Sequence, residues 1–393
     1  MPDVVILNGV RTAIGSFGGA LKDFTPTALG TLVAAEAIKR AGISPEDVDQ
    51  SFFGHVIHTN TIDAYISRVV AVNAGVPITT PALTVNRLCG SGLQAIVSGT
   101  QAIRDGDATT ALCGGVEVMS RAPHSTQDMR WGKRLGNPEF NDMLLGALTD
   151  PFGHGHMGIT GENLAEEYDI SREDQDAFSL ESHHRAEAAQ KTGYFDSQIM
   201  PVESTKRGKV TVFDKDEHIR YGAVASDFSG LRPAFRKDGT VTAGNASGIN
   251  DGAAAVVLMD ANKAKEQDLK PRAKITGYAL GGVAPEIMGV GPIPAVNRLL
   301  AKTGLSVDDF DVIESNEAFA SQACSVTKAL GLDPAKVNPN GGAVALGHPV
   351  GATGTILIVK LMAELERING RYGLATMCIG GGQGIAVAIE RMK

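Results

Sequence analysis

The same succession of features runs twice through this chain, and few folds accommodate such a repeat. Strand, helix, strand, helix, Gly-rich turn, helix and Gly-rich strand follow one another between residues 4 and 118 and again from Ala273 to the end. The landmarks correspond. Cys89-Gly90-Ser91-Gly92 falls where His348-Pro349-Val350-Gly351 falls, each opening an apolar, helix-compatible run, and Leu112-Cys113-Gly114-Gly115 parallels Met377-Cys378-Ile379-Gly380-Gly381. The intervals are 24 residues (113 minus 89) and 30 residues (378 minus 348), a difference that loops absorb. A duplicated α/β unit predicts two packed sheets with a site between them, where turns from both halves converge. One half would supply a cysteine; the other, a histidine and a second cysteine.

Within the first half, residues 4 to 8, 50 to 56, 83 to 86 and 108 to 114 read as strands, and 26 to 41, 64 to 74 and 92 to 104 as helices. From roughly Met119 to Asn245 the texture changes to Pro, Gly, Asp and Arg, with short helical pieces such as 171 to 191. This reads as an inserted, loop-rich domain, after which 253 to 259 is again a strand. The expected division is residues 1-118 completed by 246-270, an insertion over 119-245, and a second half over 271-393.

Forty-seven glycines among 393 residues make about 12%, against a usual 7% or so, as tight turns between alternating strands and helices require. A formal charge of −8 argues against a nucleic-acid partner recognised through the overall field. No run of 18 apolar residues occurs, so no membrane span is expected, and the start, Met1-Pro2-Asp3-Val4-Val5-Ile6, reads directly as a strand rather than a leader. A cytoplasmic protein is the expectation. Cys89, Cys113, Cys324 and Cys378 lie far apart with no Cys-x-x-Cys spacing, which fits free thiols better than disulfides or a zinc site. His154-x-His156 is too sparse for a metal, so no metal is expected.

Four stretches carry chemistry. Cys89 sits at a turn opening a helix, where unpaired N–H groups and the helix dipole favour a thiolate; a buried structural cysteine is the plain alternative. Asn316-Glu317-Ala318-Phe319-Ala320 follows a strand, the usual place for ligand chemistry in α/β sheets. His348 stands among residues suited to tight backbone, where an imidazole can take a proton from a thiol or simply serve the fold. Cys378-Ile379-Gly380-Gly381-Gly382-Gln383-Gly384 fails the dinucleotide G-x-G-x-x-G spacing and better suits a turn directing N–H groups at a developing oxyanion.

Together, Asn86-Arg87-Leu88-Cys89-Gly90-Ser91-Gly92, Asn316-Glu317-Ala318-Phe319-Ala320, Gly347-His348-Pro349-Val350-Gly351 and Cys378-Ile379-Gly380-Gly381-Gly382 resemble the four blocks of the thiolase family, over essentially the whole chain. The nearest likeness is to the bacterial biosynthetic type. The resemblance implies a five-layered αβαβα fold with an inserted loop domain, and a homotetramer built from tight dimers. It implies reversible Claisen condensation of two acetyl-CoA to acetoacetyl-CoA and CoA, and the reverse thiolysis. No permanently bound cofactor is implied. Cys89 would be the acyl-accepting nucleophile, His348 its base and Cys378 the group that moves the α-proton. Asn316, through a water, and His348 would form one oxyanion site; the N–H groups of Cys89 and Gly380 would form the other.

Between Lys206 and Lys237 eight basic residues (Lys206, Arg207, Lys209, Lys215, Arg220, Arg232, Arg236, Lys237) face four acidic ones (Asp214, Asp216, Glu217, Asp227), a local charge of about +4. Such a run is either a solvated face or a patch for an anion. With the resemblance, Arg220 becomes the contact for the nucleotide end of CoA. Leu231, Ala234, Phe235, Ala243, Ser247, Ala318 and Phe319 become the pantetheine tunnel, and His156 and Met157 lie near the thioester. Val350, Thr353 and Asp227 depart from the isoleucine and two serines common in relatives. A 3-ketoacyl-CoA thiolase acting on longer chains is the alternative. A ketoacyl synthase would pair its cysteine with His/His or His/Asn, against which Cys378 speaks, and a non-enzymatic acyl-CoA carrier would not need all three reactive groups.

Overall fold

The structure, a computed structural model, describes residues 2–206 and 208–392. The main elements of the first half are β1 (Val4–Thr12), α1 (Pro26–Ala41), β2 (Gln50–Gly54), α2 (Ile66–Asn73), β3 (Ala82–Val85), α3 (Ser91–Asp105) and β4 (Thr110–Val118). The intervening segment carries α4 (Met157–Glu167) and α5 (Arg172–Thr192). Then come β5 (Asn250–Asp260), β6 (Ala273–Gly282), α6 (Pro292–Thr303), β7 (Phe310–Ser315), α7 (Ala320–Leu330), α8 (Ala343–Leu346), α9 (Val350–Ile368), β8 (Tyr372–Ile379) and β9 (Gln383–Arg391).

The duplication is visible in the hydrogen bonding. In one sheet β2 runs parallel to β4, β4 antiparallel to β5, and β5 antiparallel to β1. In the other, β7 runs parallel to β8, β8 antiparallel to β9, and β9 antiparallel to β6. Even β3, parallel to β2, has a vestigial counterpart in the parallel bridge between Ile313 and Val337. The sheets meet where β1 and β6 pair through only Val5↔Lys274 and Ile6↔Ala273, so one continuous path joins them.

Side-chain alternation shows how the layers stack. Val4 and Ile6 of β1, Val256 and Leu258 of β5, and Met377 and Ile379 of β8 face a common central core with α3 and α9. Val5 and Leu7, Ala255 and Val257 face outward onto α1 and α2. On the far side Leu374, Ala386 and Ala388 pack on α6. Strands buried on both faces need helices on both sides, and α9, enclosed all round, reads apolar on every face. The result is five layers, αβαβα.

The central helices cross closely. A Cβ on Gly92 would lie 2.7 Å from the Thr355 nitrogen, and one on Gly354 would lie 2.3 Å from the Leu93 nitrogen. Only hydrogen fits at either position, and the crossing brings the first turns of α3 and α9, each preceded by a reactive residue, to one level.

The insertion holds more structure than its composition suggests. The chain from 157 to 192 forms α4 and α5, with Leu164, Ala165, Ala186 and Ala189 buried. Among the described residues no helix is long and apolar enough to cross a membrane.

Candidate active site

Cys89 lies two residues before α3, in a turn clamped from both ends. Leu88 adopts φ 46°, which is unusual for a branched residue, and its N–H donates to Asn86 Oδ1 at 3.0 Å. Ser91 Oγ donates to the Leu88 carbonyl at 2.6 Å and accepts from the Arg87 N–H at 2.9 Å. The residue is half-buried. Burial pushes the thiol up to about 11, although the N–H groups of Gly380 and of Cys89 itself point at the sulfur and pull it down. Desolvation thus works against the thiolate that a helix terminus favours and holds the Cys89 thiol above its ordinary value.

His348 follows α8 through Gly347 and precedes α9. Its N–H donates to Asn250 Oδ1 at 2.9 Å, and its Nδ1 lies 2.7 Å from Thr353 Oγ1. The Thr353 hydroxyl donates its one hydrogen to the Pro349 carbonyl at 2.9 Å. It must therefore accept from His348 Nδ1–H, which leaves Nε2 as the bare lone pair. Nε2 is buried without a protein partner, and burial lowers the imidazole to about 4. A neutral base with a free Nε2 is the outcome.

Cys378 is the penultimate residue of β8, after which the chain reverses through Gly381 (φ 82°) and Gly382 (φ 88°) into β9. Its thiol is driven well above the ordinary value by burial and then by the neighbouring Cys89. The Gly-rich run is a hairpin turn, as its failure of dinucleotide spacing implies.

Cys89, His348, Cys378 and Gly380 line one cleft. Met157, Ser247, Ala318 and Phe319, expected along the substrate path, line the same cleft. Asn316 is buried beside it, bordering a smaller void with Thr353 and Gly347, and neither its Nδ2 nor its Oδ1 has a protein partner. Sequence reasoning missed Val56, Leu88, Ala147, Leu148, Met288 and Val350 on the cleft wall. Val56 follows the end of β2, and strand ends could have flagged it; Met288, in an irregular turn, carries no local signal. A roomier groove lined by Phe178, Arg185, Cys324 and Lys328 holds none of the cysteine and histidine groups above.

Leading away from the cleft, His156 caps α4 by accepting the Gly158 N–H at 3.0 Å, and it stacks on Phe235 at 4.7 Å. Phe235 in turn meets Phe319 edge-on at 6.2 Å. The Ser247 N–H donates to the Ala318 carbonyl at 3.0 Å, and the Ala234 N–H to the Val241 carbonyl at 2.9 Å. Arg220 lies over the Phe228 ring at 5.6 Å, reaches the Ala243 carbonyl at 3.4 Å, and is fixed through its own N–H to His183 Nδ1. Leu231 is tied by its carbonyl to Arg172. None of Arg220, Leu231, Ala234 and Ala243 lines the cleft itself. The basic run is less uniform than its charges suggest: Asp216 turns inward to a buried bidentate pair with Arg11 at 2.8 and 2.9 Å, and Arg236 is engaged by Glu166 and Asn163. Arg207 and the Lys206 side chain lie outside what is described.

Two family profiles cover this chain almost end to end, the thiolase N-terminal domain over residues 4–262 and the thiolase C-terminal domain over residues 269–391. The chain belongs to the thiolase family. This thiolase is 59% identical over 391 residues to "Beta-ketothiolase BktB" of Cupriavidus necator, an alignment covering 99% of both chains. Its structure matches the Bacillus anthracis acetyl-CoA acetyltransferase with a TM-score of 0.98 at 48% identity, covering 100% of this chain and 99% of the other. It matches human mitochondrial 3-ketoacyl-CoA thiolase in complex with CoA with a TM-score of 0.96 at 44% identity, covering 100% and 98%.

Proposed function

We propose that this thiolase is an acetyl-CoA C-acetyltransferase, condensing two acetyl-CoA to acetoacetyl-CoA and CoA and catalysing the reverse thiolysis. The observation that carries the reading is the convergence of Cys89, His348 Nε2 and Cys378 on one cleft, with two backbone N–H groups aimed at the Cys89 sulfur. High identity to a β-ketothiolase and to acetyl-CoA acetyltransferases supports it.

The proton inventory closes. His348 Nε2 takes the Cys89 proton as the sulfur attacks the thioester carbonyl, and the C–S bond to CoA breaks. The departing CoA thiolate takes the Cys378 proton, leaving a thiolate there beside the imidazolium. That thiolate removes the α-proton of the second acetyl-CoA, whose enolate attacks the acetyl on Cys89. Cys89 leaves and recovers its proton from His348. An enolate next to a thioester is costly, so donors at its oxygen matter most; Asn316, with its unpaired amide and a bridging water, and His348 would serve there. The N–H groups of Cys89 and Gly380 would hold the acyl oxygen.

In the same reading, the pantetheine arm runs past Met157, His156, Phe235, Phe319, Ala318, Ser247, Ala234, Ala243 and Leu231 to Arg220 at the nucleotide end. CoA thioesters act as substrates, with no resident cofactor. Residues 1-118 with 246-270 form one half, 271-393 the other, and 119-245 bind CoA and join protomers. A homotetramer in the cytoplasm belongs to the same reading; the edge of β3, which pairs with no further strand among the described residues, and the exposed Met129, Trp131, Leu135 and Phe140 of the insertion support the assembly. The test is incubation with acetyl-CoA, expecting acetoacetyl-CoA, released CoA and an acetyl adduct on Cys89. An unmodified Cys89 with no CoA release would sink the reading.

A further inference from the structure

A buried cluster outside the cleft walls joins the two halves at the level of the reactive groups. Glu117, at the end of β4, is fully buried and its carboxylate accepts three backbone N–H bonds. Val56 N–H donates to Oε2 at 3.1 Å and Ile57 N–H to Oε1 at 3.1 Å, both from the turn after β2. Gly351 N–H, in the first turn of α9, donates to Oε2 at 3.0 Å. Helix α9 has no side-chain cap of its own, since Pro349 occupies that place. The Glu117 anion thus supplies from the other sheet what a cap and a first-turn acid would supply locally. The approach is close: a Cβ on Gly351 would lie 2.6 Å from Oε2.

A buried carboxylate needs a counter-charge. His55 provides it, its Nδ1–H donating to the Val116 carbonyl at 2.9 Å and lying 3.3 Å from Glu117 Oε1. On its other side Nε2 faces Asp63 Oδ2 at 3.7 Å, and Asp63 is held by Thr59 and Asn60. Burial raises the Glu117 carboxyl above its ordinary value against the pull of His55 and the three N–H donors, while the Glu117 and Asp63 carboxylates hold the imidazole above its own ordinary value although burial alone would lower it. His58 stacks on His55 at 5.5 Å, and the Cys89 thiol feels the Glu117 charge from the cleft side.

We propose that Glu117, neutralised by His55, is a positioning residue for the reaction. It clasps the Val56–Ile57 turn to the first turn of α9 and so sets His348 Nε2 against Cys89. Val56 and Val350, on either side of the clasp, both line the cleft. The proposal rests on the roles assigned above to Cys89 and His348.

Two variants and two readouts test it. In Glu117→Gln the Val56–Gly351 clasp loses its anion, and a misplacement on the order of 1 Å costs up to about 100-fold. Acylation by acetyl-CoA should slow at least about 10-fold with KM changed less than about 2-fold. Removing the anion should at the same time move the pH profile of Cys89 alkylation by iodoacetamide to lower pH, so chemical reactivity rises while acylation falls. His55→Gln, which leaves the anion unpaired, should move that profile to higher pH. A merely structural role would lower acylation and stability together without these opposite shifts. Wild-type acylation in Glu117→Gln, or alkylation profiles that stay put or shift in the same direction, overturns the proposal; if Glu117→Gln does not fold, the direction in His55→Gln decides alone. Alkylation needs no CoA substrate, so an inactive wild type would count against the functional reading and not against the clasp.

Discussion

His348 Nδ1 and Thr353 Oγ1 lie 2.7 Å apart, one helical turn into α9, and the hydroxyl's only hydrogen is spent on the Pro349 carbonyl. The pair fixes the imidazole tautomer through hydrogen-bond bookkeeping alone, because an oxygen that already donates can only accept. Thr353→Val keeps the shape but strands a buried N–H, at about 1–3 kcal/mol, and lets the other tautomer compete. Acetylation of Cys89 should slow roughly 10- to 100-fold, whereas Thr353→Ser should stay within about threefold. Rapid-quench measurement of the CoA burst checks this; a Val variant as fast as wild type would show that the tautomer is set elsewhere.

The two neutral groups of the cleft also set a pH profile. Acylation uses a thiol and an uncharged imidazole, with His348 held at about 4 and Cys89 at about 11. Its kcat/KM should therefore stay flat across pH 6 to 8, with no inflection near the ordinary histidine value of about 6.5. The stability sign follows from the same shift. The unfolded chain protonates His348 near 6.5 while the folded protein resists to about 4, so acidification through that window favours unfolding. Thermal melts of His348→Asn should lose less Tm than wild type between pH 6.5 and 4, and an equal or larger loss would contradict the assignment.

Much of the fold is legible because local and tertiary preferences agree. Helix α1 announces itself by Thr25 as cap, Pro26 at its first position and Gly42 in a left-handed C-terminal turn, and its bounds match the reading from periodicity. The repeat of Cys89 and His348 before two helices is legible too, and the crossing at Gly92 and Gly354 explains it. What escaped depends on distant partners. Glu117 looks like an ordinary acid at a strand end until the Gly351 N–H arrives from 234 residues away. The desolvation around the Cys89 sulfur escapes for the same reason: a helix terminus is visible in sequence, whereas the burial that opposes a thiolate is assembled from both halves.

Arg220 tests the binding end. Its guanidinium rests over Phe228 and its backbone is pinned by His183, which burial lowers to about 3 and so keeps as an acceptor. Arg220→Ala should raise KM for acetyl-CoA about tenfold, a charged hydrogen bond discounted for solvent, and leave kcat within about twofold, because binding at a remote end is shared by ground and transition states. Steady-state kinetics at two salt concentrations checks it, since a phosphate contact weakens with salt. Unchanged KM would return the basic run to a solvated face.

The sharpest consequence separates the two cysteines. Acyl transfer to Cys89 needs a nucleophile, a base and an oxyanion site, all present without the base function of Cys378. Carbon–carbon bond formation needs, in addition, a group that takes the α-proton, and Cys378 lines the cleft beside Cys89 with its thiol raised by burial, a strong base once it has given its proton to the leaving CoA. Cys378→Ala should therefore still become acetylated, releasing roughly one CoA per subunit. It should then fail to form acetoacetyl-CoA, with turnover reduced at least about 100-fold, as for a lost positioned base. The single release should also be slower than in wild type, because water must protonate the leaving thiolate. Cys89→Ala should show neither release nor turnover. Mass spectrometry of the intact Cys378→Ala protein after acetyl-CoA decides the matter: no acetyl adduct would mean that the roles are exchanged, and near-normal condensation would mean that the α-proton goes to His348 instead.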